Sequence, residues 1–235
     1  MTRGHEQDSL TARSLVVLGA RPDGGVRGVL EIARLRGCEV VGLIDDHLPA
    51  GPSALGCQIL GGRAALASTP TDHFVVAVGH NGTRRELFQA ALDAGLRPVS
   101  LVHPTAWLSP DAAVAAGAIL FPGAIVSAGT RAGSGLIVNT QGSLDHDNRV
   151  GDFVNVSPGA HTGGRVTLED EVFLGIGVSV LPDVVVGAGA MVGAGAVVVR
   201  DAPAGCTLVG VPARATGAGP NAGSDAGSDA GQCPG

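Results

Sequence analysis

From His103 to Ala204 the chain divides into blocks of six without a slip. The blocks read HPTAWL, SPDAAV, AAGAIL, FPGAIV, SAGTRA, GSGLIV, NTQGSL, DHDNRV, GDFVNV, SPGAHT, GGRVTL, EDEVFL, GIGVSV, LPDVVV, GAGAMV, GAGAVV and VRDAPA. Leu or Val fills the sixth place in 14 of these 17 blocks; the exceptions are Ala132, Thr162 and Ala204. A period of six matches neither the 3.6 of a helix nor the 2 of a plain strand. It matches a β-helix, in which each block forms one side of a triangular coil and residue i stacks on residue i+18. Val126 then lies under Leu144, and Leu144 under Thr162. Neighbouring coils pair as parallel strands about 4.8 Å apart. Glycine, at 38 of 235 residues, fills corners that need positive φ or close backbone approach. Aromatics are 3% of the chain and tyrosine is absent, which suits a narrow interior of small aliphatics.

Upstream, strand and helix signals alternate. SLVVLGA (14–20), CEVVGLIDD (38–46) and HFVVAVGHN (73–81) read as buried strands. VRGVLEIARLRG (26–37) reads as a helix with an apolar stripe through Val26, Val29, Leu30, Ala33 and either Ile32 or Leu35, closed by Gly37. ALGCQILGG leads into a short helix near 63–68, and RPVSLVH (97–103) closes the segment. A second long helix spans 82–95, with Thr83 as N-cap and Glu86 three residues on, a capping box. Alternation of this kind predicts a Rossmann-like parallel α/β domain over 14–102, followed by the β-helix over 103–216. Residues 1–13 are polar and expected to fray. The repetitive GAGPNAGSDAGSDAGQCPG (217–235) has little apolar bulk and is expected to be a disordered tail.

Formal net charge is −6, from 15 Lys and Arg against 21 Asp and Glu. With no basic run, nucleic acid is not the expected partner. Cys38, Cys57, Cys206 and Cys233 show no metal or redox spacing. No stretch has the length and apolarity of a membrane span, and MTRGHEQDSLTARS lacks an apolar signal core. The expectation is a soluble cytoplasmic protein with no membrane partner.

Within the repeat, SLDHDNRVGDFVNV (143–156) sets His146 between Asp145 and Asp147. Imidazole exchanges a proton near neutral pH, and an adjacent carboxylate can fix its tautomer and stabilise the imidazolium. On a straight strand both acids point away from the ring; at a corner either can reach it.

This motif belongs to a longer series: VVLGA, VVGLIDD, VAVGHNGTRREL, LVHPTA, NTQGSLDHDNRVGDFVNVSPGAHTGG, VFLGIGVSVLP and VGVPAR. In order and spacing, over residues 14 to about 216, the series resembles the left-handed β-helix (hexapeptide-repeat) sugar acetyltransferases. The group meant is that of the sialic acid O-acetyltransferases and bacillosamine-type N-acetyltransferases. The resemblance implies a left-handed β-helix after the α/β domain, and transfer of acetyl from acetyl-CoA to the amino group of an amino sugar carried on a nucleotide.

It also implies the site residues. His146 is the general base and Asp147, where relatives often carry glutamate, its carboxylate partner. A backbone N–H at Gly163–Gly164, Gly164 foremost, donates to the thioester oxygen. Nine residues after the base, relatives often carry a second histidine near the acetyl group; this chain has Asn155, with His161 as a possible substitute. Acetyl-CoA, the co-substrate, lies along Gly175, Ile176, Gly177, Ala194 and Gly195, with Pro212 and Arg214 toward its nucleotide. That groove needs two chains, which implies a homotrimer. The acceptor nucleotide meets Gly19, Ala20, Arg21, Asp45, Asp46, Gly79, His80 and Asn81 at the strand ends. Relatives have a compact GAGGHG-like turn there, whereas this chain has GARPDGG. Sugar O-acetylation and a non-catalytic assembly subunit stand as alternatives. A γ-type carbonic anhydrase would need three zinc histidines; beyond His103 the repeats offer only His146 and His161, so no metal is expected.

Overall fold

The computed structural model describes residues 12–21 and 25–218. The predicted frayed start lies almost wholly outside the described residues, and so does the predicted tail beyond Ala218.

The first unit is built on β1 (Ser14–Leu18), whose Leu15, Val16, Val17 and Leu18 are all fully buried. Around it come α1 (Val26–Leu35), β2 (Glu39–Ile44), β3 (Gly51–Pro52), β4 (Gln58–Gly61), a 3₁₀ turn (Arg63–Ser68), β5 (His73–Val76), α2 (Asn81–Asp93) and β6 (Arg97–Pro98). The strand order is β3-β4-β2-β1-β5-β6, with only β3–β4 antiparallel. The hairpin edge made by β3 and β4 is not apparent in the sequence. Chain direction across the sheet reverses at β1, which places a switch point beyond the ends of β1 and β5.

α1 buries Val26, Val29, Ile32 and Ala33, so of the two candidate stripe residues the core takes Ile32 and leaves Leu35 exposed. Gly37 follows the helix with φ +69° and its N–H bonds Arg34 O; the left-handed turn is why glycine stands there. The expected cap of α2 needs correction. The helix starts at Asn81, not Gly82, and its N-cap is His80, whose Nδ1 accepts from the N–H of Thr83 (3.2 Å). Thr83 receives the cap rather than providing it.

In the second unit every hexad from Leu101–Val102 to Val197–Val198 contributes one two-residue strand at its fifth and sixth places. The strands stack into three parallel faces of a prism. The first face runs from Leu101–Val102 through Ile119, Ile137, Asn155, Phe173 and Met191 to Cys206–Val209; Arg214–Ala218 adds to it antiparallel. The second face runs from Trp107–Leu108 to Val197–Val198, and the third from Ala113–Val114 to Val185–Val186. Leu101–Val102 already pairs with Ile119–Leu120, so the coil begins two residues before the composition changes. Stacking at i+18 holds up to Val198, with Val126 on Leu144 and Thr162 on Val180. The last coil is two residues shorter, pairing Val186 with Ala202 and Val192 with Leu208, so the expected register through Ala204 ends one block early. The fourth and sixth places fill the core.

Most corners have one left-handed residue. From Gly117 to Gly195 the third residue of every hexad has φ between 55° and 81°. Six of these are not glycine: Gln141, Asp147, Phe153, Arg165, Glu171 and Asp183. For an L-residue that conformation costs about 1 kcal/mol or more.

The α/β unit sits on the first face and on the corner between the third and first faces. α1 packs against Phe121, and a Cβ on Gly28 would stand 2.7 Å from that ring. Phe88 of α2 packs edge-on between Phe74 and Phe153. Arg85 pairs with Glu171 (2.6 Å). At the centre lies Arg84, only 1% exposed. Its Nε donates to Gly135 O (2.9 Å) and its Nη2 to Phe153 O (2.6 Å), both on the coil; its Nη1 donates to Val78 O (3.1 Å) and Gly79 O (3.0 Å), at the end of β5. Burial lowers its pKa to about 10, still well above neutrality, so the guanidinium keeps its charge and satisfies carbonyls of both units. Arg84→Met removes those donors and leaves buried acceptors unmet. The expected loss is about 3 kcal/mol or more, seen as a lower denaturant midpoint and early exposure of the α/β unit in hydrogen exchange.

Candidate active site

His146 occupies the corner after Ser143–Leu144, between the second and third faces. Asp145 Oδ1 accepts the His146 backbone N–H (2.7 Å), and Asp147 Oδ2 accepts from the imidazole Nδ1 (2.9 Å). Because an ionised carboxylate only accepts, this bond assigns a proton to Nδ1, and in the neutral imidazole that leaves Nε2 with its lone pair. Side-chain exposure of 49% keeps the ring open to a partner. The ring lies against Gly164, where a Cβ would come 2.4 Å from Nε2. The carboxylate of Asp147 lies over Gly129, where a Cβ would come 2.3 Å from Oδ1. Two glycines thus seat the dyad.

Three polar side chains inside the coil hold this turn. The buried Thr130 donates its hydroxyl to Asp145 O (2.6 Å). Asn148, fully buried, donates through Nδ2 to Asp145 O (2.6 Å) and Gly163 O (3.0 Å). Thr162 interrupts the ladder: the Asp145 N–H donates to its Oγ1 (3.2 Å), where neighbouring coils use the carbonyl. None of the three was singled out as a site residue from sequence. The signal was nonetheless visible, since Thr130 and Asn148 are polar at the fourth place and Thr162 at the sixth, both otherwise interior.

Above the dyad the same corner carries Arg165 and Asp183, one coil apart. Arg165 Nε donates to Asp183 Oδ1 (2.6 Å) and Nη2 to Oδ2 (2.8 Å). The hydrogen bonds from Arg165 hold the Asp183 carboxyl below its usual range and raise the guanidinium in return. Of the two candidate oxyanion donors, Gly163 is removed, because its N–H bonds Val180 O (2.8 Å). Gly164 makes no such bond with its N–H among the described residues.

The residues expected along acetyl-CoA gather on a different edge, between the first and second faces. Ile176 is 62% exposed, its carbonyl accepts from Gly195 N–H (2.8 Å), and Gly177, Ala194 and Gly195 are open beside it. Pro212 and Arg214 are exposed nearby in chain order, on the return toward the first face. Asn155 differs. It is buried on the first face and its Nδ2 donates to Ser157 Oγ (3.0 Å), so it offers no open group at either edge. His161 is exposed on the second face, its Nδ1 bonded to Ser143 Oγ (2.9 Å). One chain therefore keeps His146 and the Ile176–Gly195 strip on two edges separated by the second face.

A cleft of about 470 Å³ opens at the sheet's switch point. Gly19, Arg21, Asp45, Asp46, Gly79 and His80 line it, as expected, together with His47, Arg63 and Thr83. Two expected members do not. Ala20 is buried and gives only its backbone N–H, to Asp45 Oδ2 (2.9 Å). Asn81 is buried against the coil, where it donates to Glu171 O (2.7 Å) and accepts from Arg84. Asp45 is fully engaged, since its Oδ1 takes the His47 N–H (2.9 Å). Arg63 pairs with Asp46 and holds that carboxyl below its usual range. Arg21 is exposed at the mouth and has no partner among the described residues. Among the described residues no group of three or more His, Cys, Asp or Glu could hold a metal, and no helix is long and apolar enough to cross a membrane.

A Rossmann-like unit joined to a hexad coil with an exposed histidine–aspartate corner defines a class of acyl-transferring protein. The comparisons agree. Residues 15–91 match the PglD N-terminal domain, and residues 165–200 match the bacterial transferase hexapeptide (six repeats). GDP-perosamine N-acetyltransferase of Escherichia coli O157:H7 is 32% identical over 177 residues, 73% of this chain and 80% of the relative. The acetyltransferase domain of PglB from Neisseria gonorrhoeae FA1090, solved with acetyl coenzyme A, superimposes with a TM-score of 0.79 at 34% identity, covering 87% of this chain and 100% of that one. PerB from Caulobacter crescentus, solved with CoA and GDP-perosamine, gives 0.82 at 33%, covering 87% and 97%. This chain belongs to the hexapeptide-repeat sugar N-acetyltransferases.

The seat of His146 gives a direct prediction. Gly164→Ala puts a methyl where the imidazole rests. The variant folds with a melting temperature within a few degrees of wild type, because the ring can swing away, but kcat falls at least about tenfold. Circular-dichroism melting and steady-state kinetics check both parts.

Proposed function

We propose that this protein transfers the acetyl group of acetyl-CoA to the amino group of a nucleotide-linked amino sugar, with His146 as general base. The carrying observation is the Nδ1–Asp147 bond (2.9 Å) on an exposed corner, which leaves Nε2 as a proton acceptor. The amine attacks the thioester carbonyl as Nε2 takes its proton. The tetrahedral oxyanion accepts a hydrogen bond from the Gly164 N–H. Asp147 stabilises the imidazolium meanwhile. Collapse breaks the carbon–sulfur bond, and the proton passes from Nε2 to the leaving thiolate, giving an amide and free CoA.

The co-substrate and acceptor follow from the relatives, whose structures hold acetyl coenzyme A in one case and CoA with GDP-perosamine in another. The strip of Ile176, Gly177, Ala194 and Gly195 supports a pantetheine arm lying close to backbone. The switch-point cleft supports the nucleotide, with Arg21 available for phosphate. The separation of the two edges supports assembly: the base edge of one prism completes the cofactor edge of the next. Exposed Trp107 and Ile125, stacked on the second face, give the apolar surface for a cytoplasmic homotrimer in which that face turns to the threefold axis.

Incubation with acetyl-CoA and a panel of nucleotide-linked amino sugars, read as product mass, is expected to show gain of one acetyl group on the sugar nitrogen. Fragmentation that places it on oxygen would favour the O-acetyltransferase alternative. His146→Ala is expected to lower turnover by about 100-fold or more; turnover equal to wild type removes the assignment.

A further inference from the structure

The corner that carries the dyad stacks Gly129, Asp147, Arg165 and Asp183 on successive coils. Backbone bonds lock the register: Asp147 N–H to Ala128 O (3.0 Å), Arg165 N–H to His146 O (2.9 Å) and Asp183 N–H to Gly164 O (3.1 Å). Arg165 thus has a carboxylate one coil below it and another one coil above, each a strand spacing of about 4.8 Å away along the edge. It takes the upper one, with two parallel bonds of 2.6 and 2.8 Å to both oxygens of Asp183. The lower carboxylate lies over Gly129 instead and gives Oδ2 to His146. All three side chains stand on left-handed residues, with φ of 58°, 59° and 65°, where glycine would be easier. A non-glycine run at such positions points to a role for the side chains.

We propose that Asp183 is a positioning residue: it captures the Arg165 guanidinium in a bidentate pair, so that Asp147 stays with His146. Four charged groups share the His146 corner, namely Asp145 on its backbone N–H, Asp147 on Nδ1, and Arg165 with Asp183 one and two coils on. Without Asp183 the carboxylate left in the guanidinium's own stack is Asp147, since Asp145 is held by the His146 N–H (2.7 Å), and bidentate capture of Asp147 would take that group from the ring. The imidazolium would then lose its counter-charge and gain a cation nearby. This inference rests on the general-base reading for its effect on rate, though not for its effect on the histidine.

The test uses the full chain in wild-type, D183N, R165Q and D183N/R165Q forms, beside H146A. The His146 ring is titrated by ¹H–¹⁵N NMR, and kcat/KM is measured with acetyl-CoA and GDP-perosamine. In D183N the His146 titration midpoint is expected to move about one pH unit lower, and kcat/KM to fall about tenfold. R165Q should stay near wild type, and D183N/R165Q should recover both the midpoint and the rate. A D183N midpoint equal to wild type overturns the proposal. So does a double variant that stays as impaired as D183N, which would mean Asp183 acts only as structure. If H146A turns over like wild type, the general-base reading fails, and the NMR titration still decides the place of Asp183.

Discussion

From Gly117 to Gly195 a left-handed residue at the third place of each hexad turns the chain from one face of the prism to the next. Everything else in the coil depends on that turn. It sends the fourth and sixth side chains inward and leaves the first three on the corner. Glycine satisfies it at the lowest conformational cost, and eight of the fourteen corners between residues 117 and 195 are glycine. The six others fall into recognisable company. Phe153 and Glu171 are on the corner that receives the α/β unit. Asp147, Arg165 and Asp183 are on the corner of His146. Gln141 alone holds the corner on the Ile176 edge.

The same economy governs the junction of the two units. A charged, fully buried Arg84 would be unfavourable alone. It is tolerated because six oxygen acceptors surround it, five of them backbone carbonyls. Two of those carbonyls, Val78 and Gly79, belong to the segment that forms the wall of the switch-point cleft. The cleft wall is therefore tied directly to the coil by Arg84, beside the Asn81, Arg85–Glu171 and Phe88–Phe153 contacts, so the placing of the cleft relative to the His146 corner is set by packing rather than by a linker.

Much of this was legible in sequence for a simple reason. Sixth-place Leu and Val report the interior directly, and the frame that ends in Val102 was already running before His103. The histidine–carboxylate motif was legible because a corner is where neighbouring residues can converge. What sequence hid was competition for partners. His80 caps α2 with its ring nitrogen, which no capping rule based on Ser, Thr, Asp and Asn would rank first. Asn81 looked like part of a ligand loop, but the coil above it supplies carbonyls that claim its amide. Ala20 and Asp45 bond each other across the strand ends. Asn155 sits where relatives often carry histidine, yet its neighbour Ser157 ties it down. The hairpin of Gly51–Pro52 with Gln58–Gly61 was missed because two residues of Gly-Pro carry no strand signal. Thr130, Asn148 and Thr162 were readable as breaks in the pattern, but their target is only visible once i and i+18 are stacked.

The central claim is that one imidazole on a prism edge meets a thioester lying on the edge of a neighbouring prism. A crystal structure with CoA and a nucleotide-linked amino sugar tests it most directly. The account predicts the sugar nitrogen within hydrogen-bonding reach of His146 Nε2, about 3 Å, and the CoA sulfur beside it in a cleft lined by two chains. CoA bound along a single prism, with its thiol remote from every copy of His146, would contradict it.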